Sequence, residues 1–301
     1  MTEARLRALV ALAETGSVRA AARRLVVTES AVSAAVTALA RDIGVALVER
    51  AGRGVVLTPA GRIYTDYARR VLGLLEEGRA AARGGDDAGR GRLRLAAVTT
   101  AADQVLPALL ATFRARWPEV DLALEVGPSS LVWDRLAAHA ADLVLGGRPP
   151  ANLPATVLAT RPNDLVVVAS PGVAAAFALD TTPWVMREPG SGTRRTAEAY
   201  LSERDVDPPQ LVLGSNGAVI AGAAAGLGAA LVSRDAVRDE LAGGRLAVVD
   251  APGTPLHRPW HAVAGTAPTA TTRLFVSHIL AAGGWTGPTP ADPHLLASSV
   301  G

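Results

Sequence analysis

Residues 17–39 read SVRAAARRLVVTESAVSAAVTAL, and this stretch decides how the first part of the chain folds. Ser17 and Thr28 stand where helix N-caps belong, because a side-chain oxygen there accepts a hydrogen bond from an orphan amide of the first turn. They predict two helices joined by a tight connection. Ala21, Ala22, Leu25, Val32, Val36 and Leu39 form the apolar set that locks this pair to a preceding helix, in which Leu6, Leu9, Val10 and Ala13 recur at helical spacing. Glu29, Ser30, Ser33, Ala34 and Thr37 are left outward at the N-terminal half of the second helix. A helix presented in this way fits the major groove of duplex DNA, where its first turns reach base edges.

Downstream, Ile43 to Val48 is expected to make a short strand, ERAGRG a turn and VVLT the returning strand. The result is a wing carrying Arg50 and Arg53, which can enter a minor groove or hold phosphates. Thr58 caps and Pro59 opens a long helix, since the N–H that proline lacks would be unbonded at that position. Ile63, Tyr67, Val71 and Leu74 lie along one stripe of it. A stripe that long needs a partner surface, and a second copy of the chain supplies one.

The texture changes at GGDDAGRG (residues 84–91), which sustains neither helix nor strand and marks a linker. Beyond it, apolar runs such as RLRLAAV, VDLALEV, ADLVLG, DLVVVAS, QLVLG and GAALVS alternate with helical stretches. Strands apolar on both faces and separated by helices predict an α/β body with a parallel sheet. The expected organisation is a winged helix-turn-helix over 1–58, a linker helix over 59–83 and a hinge over 84–91. Lobe I then takes 92–165 and 266–284, lobe II takes 166–265, and a frayed tail takes 285–301. Three strand-to-helix turns offer polar groups where such sheets bind ligands: Thr99 and Thr100; Ser191, Thr193 and Arg194; and Ser215 with Asn216.

Of 301 residues, 49% are hydrophobic and 19% charged, and cysteine is absent, which removes disulfides, thiolate metal sites and cysteine nucleophiles. All 30 basic side chains are Arg. Residues 1–91 hold 14 Arg against 10 acidic residues, a net +4, whereas the remainder is at −2. The basic end suggests a polyanionic partner. No signal-peptide-like start and no long uncharged apolar run is present, so a cytoplasmic chain without a membrane span is expected. There is no GxSxG, HExxH or P-loop motif, and the five His lack metal-ligand spacing. No enzymatic activity, metal or other cofactor is expected. Trp133 is a candidate lid, although a large apolar residue on a helix is more often core.

The run from Ala13 to Leu72, AETGSVRAAARRLVVTESAVSAAVTALARDIGVALVERAGRGVVLTPAGRIYTDYARRVL, resembles the DNA-binding region of LysR-type transcriptional regulators, and the layout of the rest is similar to theirs. The resemblance implies a winged helix-turn-helix, a dimerising linker helix and a two-lobed effector domain of periplasmic-binding-protein type. It implies promoter DNA, a small effector and self-association as homodimer and homotetramer, with RNA polymerase a candidate further partner. Glu29, Ser30, Ser33 and Ala34 stand where the family commonly has Gln, Pro, Ser and Arg. Glu29 can accept from a cytosine amino group but repels phosphate, and Ala34 removes a phosphate contact. The DNA-binding set is then Arg23, Arg24, Thr28, Glu29, Ser30, Ser33, Thr37, Arg50 and Arg53. Effector contacts carry over to Thr99, Thr100, Ser191, Thr193 and Arg194, and less directly to Asn216. Hydroxyls gathered around a guanidinium favour an anion. REPGSGTR is similar to the branch that regulates carbon-dioxide fixation and sulfur assimilation. The rival reading is a solute-binding protein with no transcriptional role.

Overall fold

Helix α1 (Glu3–Thr15) stops at Gly16, which takes the left-handed conformation at φ 63. Helix α2 (Val18–Leu25) starts where Ser17 accepts a hydrogen bond from the Ala20 amide at 3.4 Å, and α3 (Glu29–Ile43) where Thr28 accepts one from Ala31 at 3.2 Å. These are the two caps expected from the sequence. The computed structural model describes residues 1–51, 54–83 and 88–288. Their contacts divide the chain into two compact units, Met1–Asp86 with Arg135–Ala140, and Asp87–Asp134 with Ala141 onward.

In the first unit, Leu6, Leu9, Leu12, Ala21, Ala22, Val32, Val36 and Leu39 form one buried cluster. The alanines hold the three helices close, because a bulkier residue there would force the axes apart. The wing begins later than the sequence suggests. Helix α3 runs on to Ile43 and Gly44 caps it at φ 81, so strand β1 (Val48–Ala51) starts at Val48 and pairs antiparallel with β2 (Gly54–Leu57). Helix α4 (Pro59–Arg83) follows. Thr58 Oγ1 accepts from the Gly61 amide at 2.9 Å and donates to the Ala46 carbonyl at 2.7 Å. A Cβ on Gly61 would stand 1.8 Å from the Leu47 carbonyl oxygen, so only glycine lets α4 approach the wing so closely. Arg7 reaches Glu76 at 2.6 Å and Arg79 reaches Glu3 at 2.6 Å, tying α1 to α4.

The second unit opens with β3 (Arg92–Val98), α5 (Thr99–Gln104), α6 (Leu106–Arg116), β4 (Asp121–Gly127), α7 (Ser129–Ala137), β5 (Leu143–Gly146) and β6 (Ala155–Arg161). The chain then crosses into lobe II: β7 (Asp164–Ala169), α8 (Pro171–Ala175), β8 (Trp184–Met186), α9 (Gly192–Ser202), β9 (Gln210–Val212), α10 (Asn216–Ala224), β10 (Ala230–Ser233), α11 (Arg238–Ala242), β11 (Ala247–Val248) and β12 (Leu256–His257). It returns through β13 (Trp260–Gly265) and α12 (Ala270–Ala281). Lobe I is one sheet in the order β4-β3-β5-β13-β6, with β4, β3 and β5 parallel and β13 antiparallel to both of its neighbours.

Two expectations are corrected here. The lobe I sheet is mixed and the four-stranded sheet of lobe II is antiparallel, rather than either being parallel, since β10, β11 and β12 all run antiparallel to β7. A strand that brings the chain back beside the strand that took it out must run the opposite way. For the same reason β13 belongs to lobe I, and the crossovers are Pro162–Asn163 and Arg258–Pro259 rather than the expected 165–166 and 265–266. The start of the expected tail is also packed: Trp285 is buried in the lobe I core, and Thr286 exchanges two backbone hydrogen bonds with Thr160 at 2.8 Å each. Residues 84–87 of the expected hinge and 289–301 of the expected tail lie outside the described residues; Ala88–Arg90 form a 3-10 turn.

Candidate functional site

The first site is the face of α2 and α3. Arg23, Arg24, Thr28, Glu29, Ser30, Ser33, Thr37 and Arg50 are all exposed, while the other face of these helices is sealed in the core. Thr28 Oγ1 is occupied as the α3 cap and lies 2.9 Å from Ser30 Oγ, which leaves Ser33 and Thr37 as its freer hydroxyls. Glu29 sits in the first turn of α3, where the helix dipole favours a negative charge. Arg24 is paired with Glu14 at 2.7 Å, so its charge is already partly neutralised. Arg53 lies outside the described residues. Ile63, Tyr67, Val71 and Leu74 are exposed along α4, at 63, 60, 40 and 56%, and Leu75 extends the stripe.

The second site is a narrow cleft between the lobes. Lobe I contributes Thr99 and Thr100 at the β3–α5 junction and Ser129 at the start of α7; lobe II contributes Ser191 and Thr193 at the start of α9. Each turn lies beyond the carboxyl end of a strand, which is why short hydroxyl residues of both lobes face one gap. Ser191 Oγ also caps α9 by accepting from the Arg194 amide at 3.4 Å. Four of the expected residues, Thr99 and Thr100 with Ser191 and Thr193, are thus brought together.

Arg194 and Asn216 are not. The Arg194 guanidinium turns along α9, where it bonds Glu198 at 2.6 Å and the Arg187 carbonyl at 3.0 Å. Asn216 is buried and accepts from Arg187 Nη1 at 3.3 Å. Arg187 borders the cavity but is itself saturated: a bidentate pair with Glu188, 2.7 Å on each arm, neutralises it and holds the Glu188 carboxyl below its ordinary range. Trp133 is buried over Gly146 as a core residue and does not line the cavity.

The cation that the sequence does not reveal is Arg258, which lines the cavity from the return crossover together with Trp260. No carboxylate or carbonyl among the described residues bonds its guanidinium. Burial, and then the nearby Arg195, push its pKa below the usual arginine range. Trp260 is buried with its indole N–H unbonded among the described residues. Nothing in LHRPW signals a ligand; only the topology of the return strand delivers Arg258 to the gap.

Comparison with known proteins is consistent across the chain. Residues 4–62 match the bacterial regulatory helix-turn-helix protein model of the lysR family, and residues 86–284 match the LysR substrate binding domain. The chain is 34% identical to the HTH-type transcriptional activator CmpR of Synechocystis sp. over 84% of its length and 86% of the relative's. It is 33% identical to the RuBisCO operon transcriptional regulator of Acidithiobacillus ferrooxidans over 96% of its length and 97% of the relative's. Among solved structures, the Synechocystis PCC6803 CcmR regulatory domain in complex with 2-PG is similar, with a TM-score of 0.58 and 29% identity, covering 64% of this chain and 97% of that one. These relatives are regulators rather than enzymes. The helix hairpin, the wing, the long α4 and the two-lobed body with its polar cleft therefore have one explanation: the chain belongs to the LysR family of DNA-binding transcriptional regulators.

Proposed function

We propose that this regulator binds promoter DNA as a dimer joined along α4, and that a small anionic metabolite in the inter-lobe cleft changes that binding. The observation that carries the anion is the pairing of hydroxyls from both lobes with a guanidinium that has no acid bonded to it among the described residues. A desolvated cation is costly to leave unpaired, and an incoming carboxylate, phosphate or sulfate supplies the missing charge. The 2-PG complex of the similar CcmR domain supports a small-molecule occupant. The exposed Ile63–Leu74 stripe supports the dimer, and dimers can pair into a homotetramer through other faces. Acting on promoters places the chain in the cytoplasm, with RNA polymerase as its further partner.

An effector shifts the protein only by preferring one lobe arrangement, and that preference then alters how the winged heads engage two half-sites. A gel-shift titration on the DNA upstream of the gene tests this. Retardation that weakens steeply with salt and changes on adding small anions is expected. Free DNA at all protein concentrations would favour a plain solute-binding protein, and a shift altered only by neutral or cationic compounds would remove the anion.

A further inference from the structure

We infer that Arg258 is the residue that reads the charge of the effector, and that it does so from the hinge itself, so that neutralising it fixes the angle between the lobes. This rests on the proposed function above and names the element that would couple its two halves.

The backbone of Arg258 is clamped. Its amide donates to the Asn163 carbonyl at 2.9 Å, and Asn163 Nδ2 donates to the Arg258 carbonyl at 2.9 Å. Asn163 is held in turn by the Ser233 hydroxyl, which donates to its Oδ1 at 2.6 Å, and both residues are buried. Arg258 and Asn163 are the two crossover residues, so the two segments that join lobes I and II are bonded to each other here. The head of the side chain is not clamped. It extends into the gap between Gly147 of lobe I and Gly192 of lobe II. A Cβ on Gly147 would stand 2.8 Å from its Nη2, and a Cβ on Gly192 would stand 2.5 Å from Nη2 and 2.7 Å from Ser129 Oγ. One glycine from each lobe therefore makes the seat of the guanidinium.

The electrostatics give this seat a sign. The Glu188 carboxylate is consumed by Arg187, and the Arg194 guanidinium by Glu198. Arg195, exposed on α9, adds like charge beside Arg258. A cation desolvated between two lobes and facing another cation destabilises the closed, empty cleft. An anion reverses that balance by taking charge-assisted hydrogen bonds from Arg258 and hydroxyl bonds from both lobes at once. The hinge then reports occupancy without a long relay.

The test measures the thermal midpoint of the full chain, ligand-free and with sodium phosphate against matched sodium chloride, for wild type and for Arg258→Met, Arg258→Lys, Arg194→Gln and Thr100→Val. Arg258→Met is expected to raise the ligand-free midpoint, since it removes an unpaired buried charge, and to weaken the phosphate response by roughly tenfold or more. Arg258→Lys should keep part of the response, and Arg194→Gln should keep all of it. A lowered ligand-free midpoint in both Arg258 variants would make Arg258 a structural residue and overturn the inference. A full phosphate response in Arg258→Met, with a weakened one in Thr100→Val, would also overturn it while leaving an anion in the cleft. Responses unchanged in every variant, or absent in the wild type, would overturn the anionic cleft and this inference together.

Discussion

Arg194 Nε donates to Glu198 Oε1 at 2.6 Å, one turn further along α9, and its Nη1 donates to the Arg187 carbonyl at 3.0 Å. The guanidinium thereby staples the start of α9 to the beginning of the loop, where the chain leaves β8. An i,i+4 pair with a half-exposed acid is worth a few tenths of a kcal/mol, and a charge-assisted bond to a carbonyl adds about 1 kcal/mol. Arg194→Ala is accordingly expected to cost about 1 kcal/mol in denaturant unfolding and to leave the response of DNA binding to anions in place. Loss of that response with unchanged stability would return Arg194 to the cleft.

Much of this arrangement is legible in the sequence, and the exceptions have physical causes. Ser17, Thr28 and Thr58 announce helix starts because capping is a local event that needs only one side-chain oxygen and a nearby amide. Ser191, the α9 cap, is legible for the same reason, and Thr193 by its place in the same turn. Arg194 misleads because its reach is decided by competition with Glu198, which spacing permits but does not enforce. Gly44 was the available sign that α3 ends there, since a left-handed glycine closes helices; the apolar Ile43–Val48 run outweighs it if read alone. Arg258 is invisible to any local rule. Its place depends on β13 lying antiparallel between β5 and β6, a pairing set by residues that are distant in the sequence.

Glu3 makes the first unit sensitive to acid. Its carboxyl takes a hydrogen bond first from Arg79 and then from Arg7, and these hold its pKa at about 2 instead of the ordinary 4.5. A depressed carboxylate stabilises the fold fully above its unfolded pKa and loses that contribution as the pH falls towards its folded value. The α1–α4 clasp should therefore weaken between about pH 4.5 and 2. Thermal melts of the wild type and Glu3→Gln should differ at neutral pH and converge as the pH reaches 2. Parallel curves across that range would show that the clasp contributes nothing to stability.

Val26 is held at φ 56 in the connection between α2 and α3 and is 89% exposed. A β-branched residue in the left-handed region costs about 1–2 kcal/mol, and at this exposure packing returns almost nothing. The backbone there is fixed from both sides, because the Val26 amide bonds the Arg23 carbonyl at 3.3 Å and the Val27 amide bonds the Ala22 carbonyl at 3.0 Å. Val26→Asn is expected to raise stability by about 1 kcal/mol, since Asn tolerates this conformation, and Val26→Gly by less because it also loosens the unfolded chain. Thermal melts and a gel shift on the same samples check this; a destabilised Val26→Asn would mean that the turn relaxes around valine.

Arg24 and Arg50 present the same charge to a duplex but not the same free charge. Each phosphate that a protein neutralises adds about 0.9 to the slope of log affinity against log salt. Arg50 is exposed on β1 with no acid bonded to it among the described residues, whereas Arg24 is held by Glu14 at 2.7 Å. Arg50→Gln should therefore lower the slope by about one unit, and Arg24→Gln by clearly less. Glu14→Gln frees Arg24 and should steepen the slope by up to about one unit, and adding Arg24→Gln should abolish that gain. Fluorescence anisotropy on one promoter duplex across a salt series measures all four slopes. Equal losses from the two arginines, with no effect of Glu14→Gln, would mean that the Glu14 pair dissolves once DNA arrives and that the head meets its operator with both cations fully available.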